Sequence, residues 1–322
     1  MLGKTTHKAF FLVPPEVQLL DLTGPAHLFY EAKEYGAPID IHYLSLGDEK
    51  ECVSSAGISL GQLKAFDQFE LTENDLLFLP GLESHLFFDE AFVTKLRPFF
   101  DWLEKQAERG AKVCSVCTGA YFLGLAGLLD HKFCTTHWKY LKDFQERFPK
   151  AKLLSDRLLV KDGNLYSSAG VSSGIDLTLY LLEELFGSIF AAKIAKEVVI
   201  YFRRTENDPQ LSVFLQYRNH VENRIHQVQD ELAQNLAQKQ KIEELAEIVH
   251  MSPRNLTRLF RKTTGITIGD YLEKLRVEHA VQLLSAGSKV NTAAMACGLQ
   301  SSNQLRSLLR KHKSVLPSQL RS

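Results

Sequence analysis

The chain has 322 residues, its 38 Lys and Arg balance 38 Asp and Glu, and 45% of its residues are apolar. That length fits two domains better than one, and the composition excludes a mostly disordered or collagen-like chain. No apolar run approaches the roughly 20 residues of a membrane span, and five cysteines in so long a chain do not suggest a disulfide framework. The expected setting is a reducing cytoplasm.

The zero net charge hides an asymmetry. Residues 1–221 carry 23 basic and 29 acidic side chains, whereas residues 222–322 carry 15 basic and 9 acidic ones. A basic module behind an acidic one points to a polyanion that meets only the C-terminal part. The alternative from charge alone is a solvated basic face without a partner.

Taken in chain order, the first 200 residues read as strands alternating with helices. Ala9–Val13 is a short apolar run ending at Pro14-Pro15, read as a buried first strand and not as a signal peptide. Ile39–Leu46 alternates in strand fashion, Asp75–Leu79 runs into the turn Pro80-Gly81, and Ala111–Val116 is a further strand. Phe92 to Arg109 predicts one helix, with Phe92, Leu96, Phe99, Phe100 and Leu103 on its apolar face and Gly110 as its stop. This alternation predicts a doubly wound α/β fold with a mostly parallel sheet covered on both faces. Past about residue 200 the strand signal ends. A linker is expected over 205–222, separating a domain at 1–204 from an all-helical domain at 223–322.

In the helical part, Ile242–Val249 is an amphipathic helix and Ser252-Pro253 opens the next with a favoured N-cap and a Pro at the first helical position. That next helix is expected to bury Leu256, Leu259 and Phe260. Arg254, Thr257, Arg258 and Arg261 then share its solvent face at spacings of three and four. Two short helices joined by a tight turn, the second basic, fit a major groove. An echo follows. Val290–Cys297 and a second candidate reader helix from Ser302, with Ser302, Asn303, Gln304 and Arg306 exposed, are spaced from the first unit by the longer helix Tyr271–Leu284.

The run Met251–Phe260, with Gly265-Ile266-Thr267, Tyr271-Leu272, Arg276 and Ala280, resembles the DNA-binding domain of AraC-type transcription regulators. The second unit, from Ala296-Cys297-Gly298-Leu299 through Pro317, resembles the second helix-turn-helix of that domain. It departs from the pattern at Leu299, Leu305 and Leu309, where Phe is usual, and at Ser314, where Gly is usual. The resemblance implies sequence-specific binding of double-stranded DNA.

In the first domain, Val113–Ala126 places Cys117 between a strand and a helix, beside the small Gly119 and Ala120. Such a turn parallels a nucleophile elbow, with the helix N-terminus expected to lower the thiol pKa. Cys114-x-x-Cys117 could also be a redox pair, but no second cysteine pair supports zinc. Cys52 and Cys134 read as small buried apolar groups.

The strand–Cys–helix segment resembles the PfpI-like branch of the class I glutamine amidotransferase-like superfamily, with its flavodoxin-like sheet. Further matches are Val17–Pro25, resembling the family's first strand-to-helix loop with Asp21 in it before Gly24-Pro25, then Leu79-Pro80-Gly81-Leu82, Thr135-Thr136-His137-Trp138 and Ser167–Asp176. Joined to an AraC-type domain, these resemble GlxA-type regulators, whose amidotransferase-like domain is taken as sensory. The resemblance implies a ligand pocket of Asp21, Pro80, Gly81, Cys117, Thr118 and His137, a small-molecule effector and a homodimer. No catalytic residue, metal, cofactor or membrane contact is expected. The competing readings are a Cys-dependent enzyme of amidase or hydratase type and a dimerisation domain without ligand.

Overall fold

The protein is described from a computed structural model over residues 5–200, 213–218, 220–285, 287–313 and 315–320. The chain divides into two compact units, Met1–Gln210 and Leu211–Ser322.

The first unit is built on strands β1 (His7–Leu12), β2 (Ile39–Ser45), β3 (Glu51–Val53), β4 (Ser59–Gly61), β5 (Lys64–Ala65), β6 (Leu76–Leu79), β7 (Lys112–Val116), β8 (Phe133–Cys134), β9 (Lys152–Leu153), β10 (Leu159–Asp162) and β11 (Leu165–Ser168). Seven of them form one sheet in the order β10-β11-β7-β6-β1-β2-β5. Its neighbours are parallel except for the antiparallel pair β10–β11. Its helices are α1 (Leu19–Glu34), α2 (Glu90–Lys95), α3 (Arg97–Glu108), α4 (Ala120–Leu125), α5 (Leu141–Arg147), α6 (Ser173–Phe186) and α7 (Ser188–Glu197).

The strands alternate between two cores, as period-two geometry demands. Ala9 and Phe11 of β1, Phe78 of β6 and Cys114 of β7 pack with α1 and α6. Phe10 and Leu12, Leu77 and Val113 face the other layer, with Phe99, Leu103 and Phe144. Both faces are covered, so these strands read as continuous apolar runs, and the architecture is the α/β, mostly parallel one expected.

Two local readings are corrected. The helix expected from Phe92 to Arg109 is two helices, α2 and α3, which meet at Leu96, with Pro98 in the first turn of α3. A proline there starts a new helix and cannot donate back into the old one. Asp21, expected in a loop before Gly24-Pro25, lies in the first turn of α1, and Pro25 is inside that helix.

The second unit comprises α8 (Val213–Gln216), α9 (Asn223–Gln234), α10 (Ile242–Ile248), α11 (Pro253–Thr264), α12 (Ile268–Ser285), α13 (Val290–Ala296) and α14 (Ser302–Lys313). It holds two separate cores. Ile225, Leu245, Leu256, Phe260 and Tyr271 anchor the first, and Val281, Ala293, Cys297, Leu305 and Leu309 anchor the second. Helix α12 contributes to both. The linker expected over 205–222 falls partly on residues outside the described ones. Its described part is not free chain, because Val213 and Tyr217 pack against the first core. Leu259 is only half-buried, and Ser314 lies outside the described residues.

Candidate functional site

The carboxyl ends of β1, β6, β7 and β11 lie side by side, because these strands are neighbours in the sheet. Open parallel sheets place ligands at this edge. Cys117 directly follows β7 and is held at φ +60°, a left-handed conformation unusual for a residue with a side chain. The turn is made possible by Gly119. A Cβ there would stand 1.9 Å from the Leu79 carbonyl oxygen, so the backbone after β7 and the backbone after β6 touch where only glycine fits.

The neighbouring loops supply the remaining groups. The Gly81 amide donates to Asp21 Oδ2 at 3.1 Å. A Cβ on Gly81 would lie 2.6 Å from that same oxygen, 2.7 Å from Thr118 Oγ1 and 3.3 Å from Cys117 Cβ. Asp21, Gly81, Cys117 and Thr118 are therefore one contiguous cluster, with the buried Pro80 in the same loop. Thr118 Oγ1 itself donates to the Leu82 carbonyl at 3.2 Å. His137 approaches from another side. A Cβ on Gly170 would fall 2.5 Å from His137 Cδ2 and 3.4 Å from Cys117 Sγ, so ring and thiol flank one glycine. The structure thus brings together all six residues expected at the pocket.

The electrostatics differ from the elbow expectation. Cys117 is buried, with 6% of its surface exposed. Burial, then the adjacent Asp21, push the thiol well above its ordinary range, although the amides of Thr118 and Val171 bond to the sulfur and favour the anion. The expected thiolate is corrected to a protonated thiol. The helical turn that follows Cys117 is a 3-10 turn, Cys117–Gly119, leading into the six-residue α4, too short a dipole to offset burial. Burial also raises Asp21 to about 6, against the opposing hydrogen bonds from the Gly81 amide and then the Cys117 thiol. Its Oδ1 is sealed from solvent and has no well-formed hydrogen bond among the described residues. His137 is half-buried and shifted downward by desolvation and then by Lys139. Its Nδ1 accepts the Lys139 amide at 3.3 Å, which leaves Nε2 to carry the proton of the neutral ring. Cys114 is fully buried and is a free thiol, as is Cys117. Cys52 is partly exposed, contrary to its reading as a buried group.

Three residues of the matching segments, not among the six expected at the pocket, also contribute. Val171 donates its amide to the sulfur, Gly170 sets the gap between ring and thiol at φ +133°, and Thr136 Oγ1 donates to the Cys117 carbonyl at 3.0 Å. For Gly170 and Val171 the signal is the mostly small run from Ser167 to Gly174, which permits close backbone approach.

In the second unit, Ser252 caps α11 by accepting the Asn255 amide at 3.4 Å. Leu256 and Phe260 are fully buried, which turns Arg254, Thr257, Arg258 and Arg261 outward. The four line an open groove of about 700 Å³ together with Ile242, Glu243, Pro253 and Lys262, so one carboxylate stands among four basic side chains. No hydrogen bond or ion pair engages the three arginine heads among the described residues. The second candidate reader differs. On α14, Arg306 donates to Asn303 at 2.8 Å, Gln304 accepts the Gln300 amide at 3.0 Å, and Ser302 bonds Asn291 at 3.3 Å. Its polar heads are engaged with one another, with the preceding turn and with Asn291 of α13.

Among the described residues, no three or more His, Cys, Asp or Glu are grouped to hold a metal, and no helix is long and apolar enough to cross a membrane.

Comparison with known proteins agrees with this division. The DJ-1/PfpI family model matches residues 7–184, and a helix-turn-helix domain model matches residues 245–322. The chain is similar to the HTH-type transcriptional regulator GbdR of Pseudomonas aeruginosa, 32% identical over 69% of this chain and 60% of that protein. The matched part is thus less than two thirds of that relative's length. The HTH-type transcriptional regulator CdhR of the same species is 29% identical over 97% of this chain and 91% of the relative. An isonitrile hydratase of Pseudomonas putida is 36% identical over 55% of this chain and 71% of the hydratase.

Proposed function

Because the chain belongs to the DJ-1/PfpI family and ends in a helix-turn-helix domain, we propose that it is a transcription regulator: it binds double-stranded DNA through its second unit and a small-molecule effector through its first. The observation that carries the reading is the face of α11, where three arginines without a partner among the described residues stand with Thr257 along one capped helix. Such a helix fits a major groove, and arginine reads guanine edges or phosphates. The likeness to CdhR over nearly the whole chain supports the same assignment.

In this reading, residues 1–204 sense the effector and form a homodimer, and residues 223–322 bind DNA. The effector is held by Asp21, the Pro80-Gly81 loop, Cys117, Thr118 and His137. Effector binding alters DNA binding only if the two states of the protein bind it unequally. Sensing without turnover is favoured by the thiol, which is buried and protonated where a nucleophile is needed as thiolate. A second reading, a Cys-dependent enzyme, is favoured by two observations. The Asp21 carboxylate beside Cys117 is placed to take the thiol proton, and 55% of the chain is similar to an isonitrile hydratase.

The experiment that separates these readings follows the melting temperature of the full chain across a panel of small metabolites, then incubates each hit for product. A ligand bound only by the folded chain raises the melting temperature. The sensor reading expects a shift without product. Turnover abolished by Cys117→Ser would establish the enzyme.

A further inference from the structure

The two cores of the second unit are separate, and α12 passes from one to the other. Tyr271 and Leu275 belong to the first core, whereas Val277, Ala280, Val281 and Leu284 belong to the second. An 18-residue helix is about 27 Å long. By itself it would leave each helix-turn-helix free to rock about the point where the cores part, between Leu275 and Val277.

Polar ties cross that point. Arg276 donates from Nε and Nη2 to the Leu236 carbonyl at 3.3 and 3.2 Å, and from Nη2 to the Gln238 carbonyl at 3.2 Å. These carbonyls lie in the loop between α9 and α10, immediately before the first helix-turn-helix. The planar guanidinium can hold both at once, which a single ammonium does less well. The same loop lies against the turn of the second helix-turn-helix. At Gly298, which has φ +69°, a Cβ would stand 2.6 Å from the Ala237 carbonyl oxygen. A companion tie runs the other way. Glu273, on the first-core half of α12, accepts from Lys311 at 2.6 Å and pairs with His312 at 3.0 Å at the end of α14.

We propose that Arg276 is a positioning residue that locks the two helix-turn-helix units into one rigid reader, and so fixes the spacing between the two DNA subsites the protein accepts. The inference rests on the DNA-binding reading above. Two recognition helices that enter successive major grooves must match the helical repeat of the duplex, so rigidity between them becomes selectivity for spacing. Arg276 is half-buried and directed at backbone carbonyls, so its role here is to hold the protein and not to touch a base.

The test uses the full chain. A site is first enriched from a random duplex library with the wild-type protein. Affinity is then measured on that site and on a copy with one base pair inserted between the subsites, for wild type and for Arg276→Met, with folding checked by circular dichroism. The wild type should lose about tenfold or more on insertion. Arg276→Met should lose less than about threefold on the same insertion, whatever its affinity for the original site. A merely structural role would lower both affinities and leave their ratio unchanged, and that result would overturn the inference. If Arg276→Met does not fold, Arg276→Gln is read in the same way. If the wild-type protein enriches no site, the DNA-binding reading fails and this inference fails with it, whereas an enriched site with equal ratios refutes the inference alone.

Discussion

The Gly81 amide donates to Asp21 Oδ2 at 3.1 Å and the Cys117 thiol also bonds this carboxyl, yet burial outweighs both. A carboxyl so placed prefers to hold a proton. An unfolded Asp titrates near 3.9, and Asp21 is raised to about 6. Between those values the folded chain binds a proton that the unfolded chain releases. Stability from this group therefore falls as pH rises through the window, and above it the ionised form costs about 3 kcal/mol. Asp21→Asn should stabilise the first unit by about 1–3 kcal/mol at pH 7.5 and by little at pH 4. Thermal melts of both proteins across this range provide the check. A variant less stable than wild type at pH 7.5 would contradict the stated cost of the ionised form.

The thiols should react in an order set by burial. Cys52 is the partly exposed cysteine, whereas Cys114, Cys117, Cys134 and Cys297 are buried. With iodoacetamide at pH 8, Cys52 should be modified first and Cys117 slowly. Peptide mapping over time measures this directly. Rapid labelling of Cys117 would mean that the site opens in solution.

Gly170 should not tolerate a side chain. A methyl there meets His137 at 2.5 Å on a backbone at φ +133°, so both the ring and the turn must move. Gly170→Ala should destabilise the first unit by about 1–3 kcal/mol and weaken effector binding. Chemical denaturation and ligand-induced melting shifts test the two effects, and an unaltered midpoint would refute the close packing.

Ser252 caps α11 through its hydroxyl. Ser252→Ala should cost the second unit about 1 kcal/mol, and Ser252→Asp much less, because aspartate is an equally good cap. Equal losses in urea titrations of the two variants would show that the hydroxyl acts otherwise.

Much of this could be read in the sequence where one local rule dominates. Ala9–Val13 and Asp75–Leu79 are buried on both faces, so their apolar runs marked strands directly. The Ser252-Pro253 start and the Leu256 and Phe260 pattern marked α11 for the same reason. The six residues expected at the pocket came by resemblance, and the structure places them near one another. What was not legible depends on packing in three dimensions. The thiol of Cys117 is protonated because neighbouring loops bury it and set Asp21 beside it, and neither fact is a property of the segment around Cys117. Val171 reaches the sulfur through a backbone amide, which leaves no mark on residue type. The engagement of Gln304 and Arg306 likewise depends on which neighbours the turn at Gln300 presents.

The central claim is that DNA is read chiefly by α11, and the most direct measurement compares Arg258→Ala with Gln304→Ala. Fluorescence anisotropy on the enriched duplex at fixed salt should show Arg258→Ala weakened by about 1–3 kcal/mol. Gln304→Ala should lose less, because that side chain is already engaged by the Gln300 amide. Wild-type affinity retained by Arg258→Ala, or an equal loss in the two variants, would contradict the account.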